Sequence, residues 1–262
     1  MKRVLIFGKN SYIGNCLAEH LSRQSERYVA SVFDSHIQPK KNDFIGYDAL
    51  VYVAGVAHIK ETNKSKASYY IVNRDLAHEV ALIAKSAALP HFIYLSSMSV
   101  YGLTKGHITI NTPENPNTHY GRSKWEAERL INGLADERFT VTILRPPMVY
   151  GPNCKGNYRH LGNLAARVPI FPDWRNERSV VSVFSLCDSI ERAIEDIRGG
   201  LLFPQDREYM DTSRTMVVLA DSMGKRLRLS KKLTVLVPLL MRISRRARRM
   251  LSSLTYDRQL PK

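Results

Sequence analysis

Short, wholly apolar runs alternate along this chain with stretches whose apolar residues recur at helical spacing. Arg3-Val-Leu-Ile-Phe7 is the first run, as a strand covered on both faces of a parallel sheet requires. Gly8-Lys-Asn-Ser-Tyr-Ile-Gly14 then makes a turn, and Asn15 to Leu21 has helical spacing. Strand runs follow at Tyr28–Phe33, Ala49–Gly55, Phe92–Ser96 and Thr140–Arg145, and helical periods at Tyr69–Leu89 and Lys124–Leu134. Such alternation predicts an α/β chain with a doubly wound parallel sheet, the Rossmann arrangement. After Pro146 the chain turns irregular and rich in Pro and Gly. The expected division is therefore a dinucleotide-binding domain over 1–150, joined by later segments that return to it, a small substrate lobe over 151–224, and a tail over 225–262.

Composition narrows the class. The chain has 262 residues, 44% hydrophobic and 24% charged, enough apolar material for a sizeable core. No apolar run approaches 18 residues, and the run after Met1-Lys-Arg ends after four without a cleavage signature; this predicts neither a membrane span nor a signal peptide. Three scattered cysteines, Cys16, Cys154 and Cys187, fit a reducing cytoplasm better than a disulfide scaffold or a zinc site. The eight histidines show no ligand spacing, so no metal is expected; His58, after the third strand run, is a candidate substrate contact.

The net charge of +15 is unevenly placed. Residues 225–262 hold twelve Lys and Arg against Asp257 alone, which leaves 27 basic and 23 acidic residues, +4, for the rest. A balanced body with a basic tail argues against nucleic acid as the partner of the main domain. Within the tail, Leu236, Leu240, Ile243, Ala247, Met250 and Leu254 recur at spacings of three and four among five arginines, which predicts one amphipathic basic helix. Three readings stand: the apolar stripe packs on the domain, it lies on an anionic membrane as a peripheral contact, or the helix binds nucleic acid, which no aromatic interleaving supports.

Two motifs carry chemistry. At a strand-to-helix turn, Gly8 permits close backbone approach and Gly14 lets helix and strand pack, while the helix N-terminus offers N–H donors to a diphosphate. Asn10, Ser11, Tyr12 and Ile13 lie between them, with Ser11 where a middle glycine is usual. Asp34, 26 residues after Gly8, either ends the second strand and meets the ribose of NAD or belongs to a neighbouring strand, since the chain to Ala49 is short for a further strand and helix. The second motif is Tyr120-Gly-Arg-Ser-Lys124, which puts Tyr and Lys on one helix face, 23 residues after Ser97 in Ser96-Ser-Met-Ser-Val-Tyr-Gly102. A lysine one turn from a phenol lowers its pKa, and a serine hydroxyl can share the same substrate oxygen.

In order along the chain, these motifs, Val72-Asn73, Leu144-Arg-Pro-Pro-Met-Val-Tyr-Gly-Pro152 and Arg178 to Asp188 resemble the extended short-chain dehydrogenase/reductase family. The likeness is to its nucleotide-sugar epimerases and dehydratases of the UDP-galactose 4-epimerase type, over residues 3–220. The resemblance implies NAD or NADP as cofactor, with NAD favoured by Asp34, held by Gly8–Gly14, Ala54, Gly55, Tyr120, Lys124 and Pro147. It implies Tyr120 as acid/base, Lys124 tuning it and binding the nicotinamide ribose, Ser97 polarising the same oxygen, and Asn73 supporting the lysine through the helix backbone. Ser99 and Tyr101 would lie beside the sugar, Asn157 and Phe171 at the nucleotide end, and Arg178 on the diphosphate. Met98-Ser99 stands where dehydratases carry an acidic pair, so the implied activity is 4-epimerisation of a UDP-sugar for surface polysaccharide, with a 4-keto-sugar reductase as the alternative. A non-catalytic dinucleotide-binding module docked by its tail is the more remote one. Family members commonly form homodimers through the helices that include Tyr69–Leu89 and Lys124–Leu134.

Overall fold

The computed structural model describes residues 1–57 and 63–262. In chain order the strands are β1 (Lys2–Phe7), β2 (Tyr28–Phe33), β3 (Ala49–Tyr52), β4 (His91–Leu95), β5 (Gly106–Ile108), β6 (Thr140–Leu144), β7 (Met148–Tyr150), β8 (Ile170–Pro172), β9 (Val180–Ser182), β10 (Gly200–Leu202), β11 (Arg228–Ser230) and β12 (Leu254–Tyr256). The helices are α1 (Tyr12–Ser22), α2 (Asn63–Tyr70), α3 (Ala77–Ser86), α4 (His119–Asn132), α5 (Asn157–Ala165), α6 (Val183–Asp196), α7 (Thr212–Ser222), α8 (Lys231–Thr234), α9 (Val237–Ile243) and α10 (Arg245–Leu251).

Six strands form the central sheet in the order β10-β6-β4-β3-β1-β2, all parallel. Alternate side chains of β1 explain why its run is apolar throughout. Val4 and Ile6 pack with Leu17 and Leu21 of α1 and with Leu186 and Ile190 of α6. Leu5 and Phe7 face the other way, toward Val80 and Ala84 of α3 and Ala127 and Ile131 of α4. Helices thus cover both faces, as expected of a doubly wound sheet. On the α3/α4 side a row of rings crosses four strands, Phe33, Phe7, Tyr52 and Phe92, with centroids 5.0, 5.3 and 6.4 Å apart.

β2 pairs with β1 through six residues, Lys2 opposite Tyr28 to Phe7 opposite Phe33. Asp34 therefore follows the strand next to β1, and β2 is the sheet edge, because residues 34–48 hold only a single 3₁₀ turn over Lys41–Phe44. The long helix expected over Tyr69–Leu89 is interrupted. Between α2 and α3, Ile71–Leu76 winds as a π-helix, a rare form frequently found at functional sites.

The tail departs from the expected single helix. Ser244 is extended (φ −118°, ψ 115°) and its hydroxyl accepts from Ala247 N–H, so one helix stops there and α10 starts in a new direction. Leu254 then pairs with Gly106, making β12 a partner of β5, and β11 pairs with β8. Residues 225–262 are thus woven into the molecule: Val237 and Leu251 enter a core with Phe171, Val180 and Met216, and Tyr256 and Leu260 enter another with Tyr101 and Phe203.

Candidate active site

Gly8, Asp34, Ser96 and Arg145 each directly follow a strand and Ala54 lies two residues past β3, so the C-terminal edge of the sheet gathers them where α/β folds bind ligands. Gly8 has φ +136°, and a Cβ there would lie 2.7 Å from Ala54 N. The turn after β1 thus touches the end of β3. Ser11, standing where glycine was expected, caps α1: its hydroxyl accepts from Gly14 N–H at 3.3 Å. Asn10 is exposed with φ 66°, and Ile13 packs on the core beneath α1. The first turn of α1 carries no acidic side chain, which leaves its N–H groups and positive dipole end toward an anion. The Tyr12 hydroxyl is buried with no hydrogen-bond partner among the described residues, and burial pushes its phenol up to about 12. Asp34 accepts from His36 N–H at 3.0 Å and lies 3.6 Å from Lys9 Nζ; both hold its carboxyl below the usual range. A cradle of this shape with a carboxylate at the next strand end fits a dinucleotide.

The second half of the site is built by β4 and α4. Ser97 follows Ser96 and opens a 3₁₀ turn over Met98–Tyr101; its hydroxyl accepts from Ser99 N–H at 3.1 Å and donates to Ser99 Oγ at 3.2 Å. Helix α4 comes so close that a Cβ on Gly121 would lie 2.4 Å from the Ser99 carbonyl oxygen. This approach sets the half-buried Tyr120 beside Ser97. Burial raises the Tyr120 phenol, and the Ser97 contact opposes that rise. Lys124, one turn on, is buried; its ammonium donates to the Leu95 carbonyl at 2.8 Å and lies 4.7 Å from the centre of the Tyr94 ring. Burial pushes its pKa down to about 7.

Asn73 acts differently from the implied backbone role. Its carboxamide donates to the Val56 carbonyl (3.0 Å) and to Ser123 Oγ (3.1 Å), and accepts from Val56 N–H at 2.8 Å. Ser123 in turn donates to the Tyr120 carbonyl at 2.9 Å. The Asn73 carbonyl instead accepts from the Tyr94 hydroxyl, and the Val72 carbonyl from Tyr52, so both π-helical carbonyls are satisfied from the sheet. Gly55 leaves just enough room: a Cβ there would lie 3.3 Å from Asn73 Oδ1 and 3.5 Å from Lys124 Nζ.

Several expected contacts fall elsewhere. Tyr101 is buried, with its hydroxyl accepting from Arg145 Nη1 at 2.7 Å and its ring edge-on to Tyr256. Phe171 is buried in the core beneath α5 and α7. Around the first β12 pairs with β5, and beside the second β11 pairs with β8. Arg178 directs Nη1 at the carbonyls of Arg249 (2.7 Å) and Ser252 (2.9 Å), the end of α10. Asn157 is exposed at the start of α5, Ser99 stays beside Ser97, and Pro147 is buried after β6, next to the Pro146 carbonyl that accepts from Met98 N–H. His58 lies outside the described residues. No helix among the described residues is long and apolar enough to cross a membrane.

One functional group escaped the sequence reading. Glu128 lies at i+8 from Tyr120 on the same face of α4 and holds Arg145 by two nitrogens, at 3.1 and 2.6 Å, with Glu114 2.7 Å from Nη1. The regular four-residue spacing Tyr120, Lys124, Glu128 was the available signal.

Residues 4–196 match the family described as "NAD dependent epimerase/dehydratase family". Over 216 residues the chain is 26% identical to the N-acetyl-alpha-D-glucosaminyl-diphospho-ditrans,octacis-undecaprenol 4-epimerase of Escherichia coli O157:H7, covering 75% of this chain and 64% of that protein. It is 28% identical over 223 residues to the UDP-glucose 4-epimerase of Vibrio cholerae, covering 74% of this chain and 67% of the relative. The chain therefore spans about two thirds of the length of each. UDP-glucuronic acid 4-epimerase from Bacillus cereus, solved in complex with NAD, shares the fold with a TM-score of 0.74 at 19% identity, over 87% of this chain and 86% of that one.

Proposed function

The chain belongs to the NAD dependent epimerase/dehydratase family, and we propose that within it the protein is a sugar 4-epimerase acting on a UDP-sugar in the synthesis of surface polysaccharide. The observation that carries this reading is the meeting of Ser97 and Tyr120, with Lys124 one helical turn away, beside the glycine cradle at the same sheet edge. Gly8 to Gly14 and the α1 N-terminus would hold the cofactor diphosphate, Asp34 the adenosine ribose and Lys124 the nicotinamide ribose. The chemistry a nicotinamide supplies when bound there is reversible hydride exchange with a sugar carbon. Asp34, kept ionised by Lys9 and the His36 N–H, disfavours a 2′-phosphate and so favours NAD.

With its own proton first lost, Tyr120 would take the proton of the sugar hydroxyl as that carbon becomes a ketone and return it when the opposite epimer forms. Ser97 donates to the same oxygen and stabilises charge on it. Asn73 and Ser123 hold the first turn of α4, and with it Tyr120, in place through side-chain hydrogen bonds. Replacing Tyr120 with Phe should abolish turnover while cofactor binding persists; full activity in that variant would overturn the assignment.

A second substrate class is favoured by one observation. Phe171, one of the two residues the resemblance assigned to the nucleotide end, is engaged in the core. A sugar diphosphate carried on a polyprenyl lipid, as the name of the Escherichia coli relative states for that protein, needs no nucleoside pocket. Supplying both donor types in parallel separates the two.

A further inference from the structure

We infer that the segment Lys231–Leu251 is a docking surface for an anionic lipid bilayer. Helix α9 and the residues before it present a ridge to solvent: Val235, Leu236, Leu239, Leu240 and Ile243, with Val235 78% and Ile243 71% exposed. The ridge follows one helical winding, since Leu236 N–H bonds the Leu233 carbonyl of α8 and Leu240 N–H in turn bonds the Leu236 carbonyl. The opposite face is already covered, because Val237 is fully buried and Met241 packs against the lobe core. Packing on the body therefore accounts for most of the tail's apolar residues but leaves these five in water. Exposed aliphatic patches of this kind mark interaction sites.

The charge around the ridge selects the occupant. Residues 231–251 contain seven Lys and Arg and no acid. Lys231 and Lys232 stand exposed at one end, and Arg242, Arg245, Arg246 and Arg249 at the other. A second copy laid on this face would set two such clusters against each other. Nucleic acid is disfavoured by the complete absence of aromatic side chains from residues 231–251. Aliphatic side chains that enter the acyl boundary, ringed by cations that meet acidic headgroups, are the pairing an anionic membrane surface offers.

The platform is also rigidly attached. The carbonyls ending α10 accept from Trp174 Nε1 (Leu251, 2.9 Å), Thr212 Oγ1 (Met250, 2.9 Å) and Arg178 Nη1 (Ser252, 2.9 Å). Docking through the ridge would hold the whole lobe, and not a loose tail, at the lipid surface. This inference is independent of the reaction assigned above.

Its test is co-sedimentation of the full chain with vesicles of phosphatidylcholine alone and of phosphatidylcholine mixed with phosphatidylglycerol. The expected result is pelleting only with the mixed vesicles, reversed by salt. Two variants alter exposed residues only, Leu239→Glu with Ile243→Glu and Arg245→Glu with Arg246→Glu; each should lower the bound fraction about tenfold, with the thermal melting curve unchanged. Pelleting that needs no acidic lipid, or that persists in both variants, would overturn the inference. So would a dimer in sedimentation velocity that the Leu239→Glu, Ile243→Glu protein cannot form, since the ridge would then be a self-association face.

Discussion

The Lys124 ammonium donates to the Leu95 carbonyl, fastening helix α4 to the last residue of the central strand β4. Only 5% of Lys124 is exposed, and burial brings its pKa down to about 7 from 10.5. The unfolded chain therefore binds a proton that the folded one lacks between those two values. By linkage, this group makes stability rise with pH through that window, and its penalty at neutral pH is on the order of 5 kcal/mol. Lys124→Met removes the penalty but leaves the Leu95 carbonyl unpaired, so it should be at least as stable as the parent near neutrality while losing turnover. Denaturant midpoints of the two proteins across pH, taken as a difference, check this; a parallel pH response in both would refute it.

Gly121→Ala tests the contact that assembles the site. Its methyl would meet the Ser99 carbonyl oxygen at 2.4 Å and must push α4 away from the Ser97 turn. Turnover should fall on the order of a hundredfold through misplacement of Tyr120, with cofactor affinity little changed. Kinetics and cofactor titration of the same preparation measure both.

Glu128 and Arg145 form a buried pair, 3% and 5% exposed. Glu128→Gln leaves the guanidinium with Glu114 alone and should cost about 3 kcal/mol of stability. Chemical denaturation at neutral pH reads this, and a loss under 1 kcal/mol would mean that Glu114 carries the charge balance.

Asp34 meets no side-chain cation among the described residues except Lys9. Asp34→Ser should weaken NAD about tenfold and raise relative affinity for NADP. Calorimetric titration with each cofactor decides; unchanged preference would place the discriminating group elsewhere.

The features legible in the sequence are those set by local spacing. The β1 run, the Gly8–Gly14 turn and the Tyr120/Lys124 pair each lie within a few residues of one another, and local backbone geometry alone brings them together. Asp34 needed the sheet: only the six-residue register between β1 and β2 decides which strand it follows. The surroundings of Tyr101, Phe171 and Arg178 were not legible in the sequence, for one shared reason. Their side chains meet partners supplied from far downstream, by β12, α10 and the lobe core, and no periodicity near those residues announces it. The break at Ser244, by contrast, had a local sign, a serine directly ahead of a helical run.

The most direct test of the central claim is to incubate the purified protein with NAD and UDP-sugars and to identify the sugar products, following reduced nicotinamide by absorbance. The account predicts a mixture of two C4 epimers, approached from either one, with no net change in reduced cofactor. Stoichiometric consumption of reduced cofactor by a 4-keto-sugar, with no interconversion of epimers, would contradict it and make the protein a reductase.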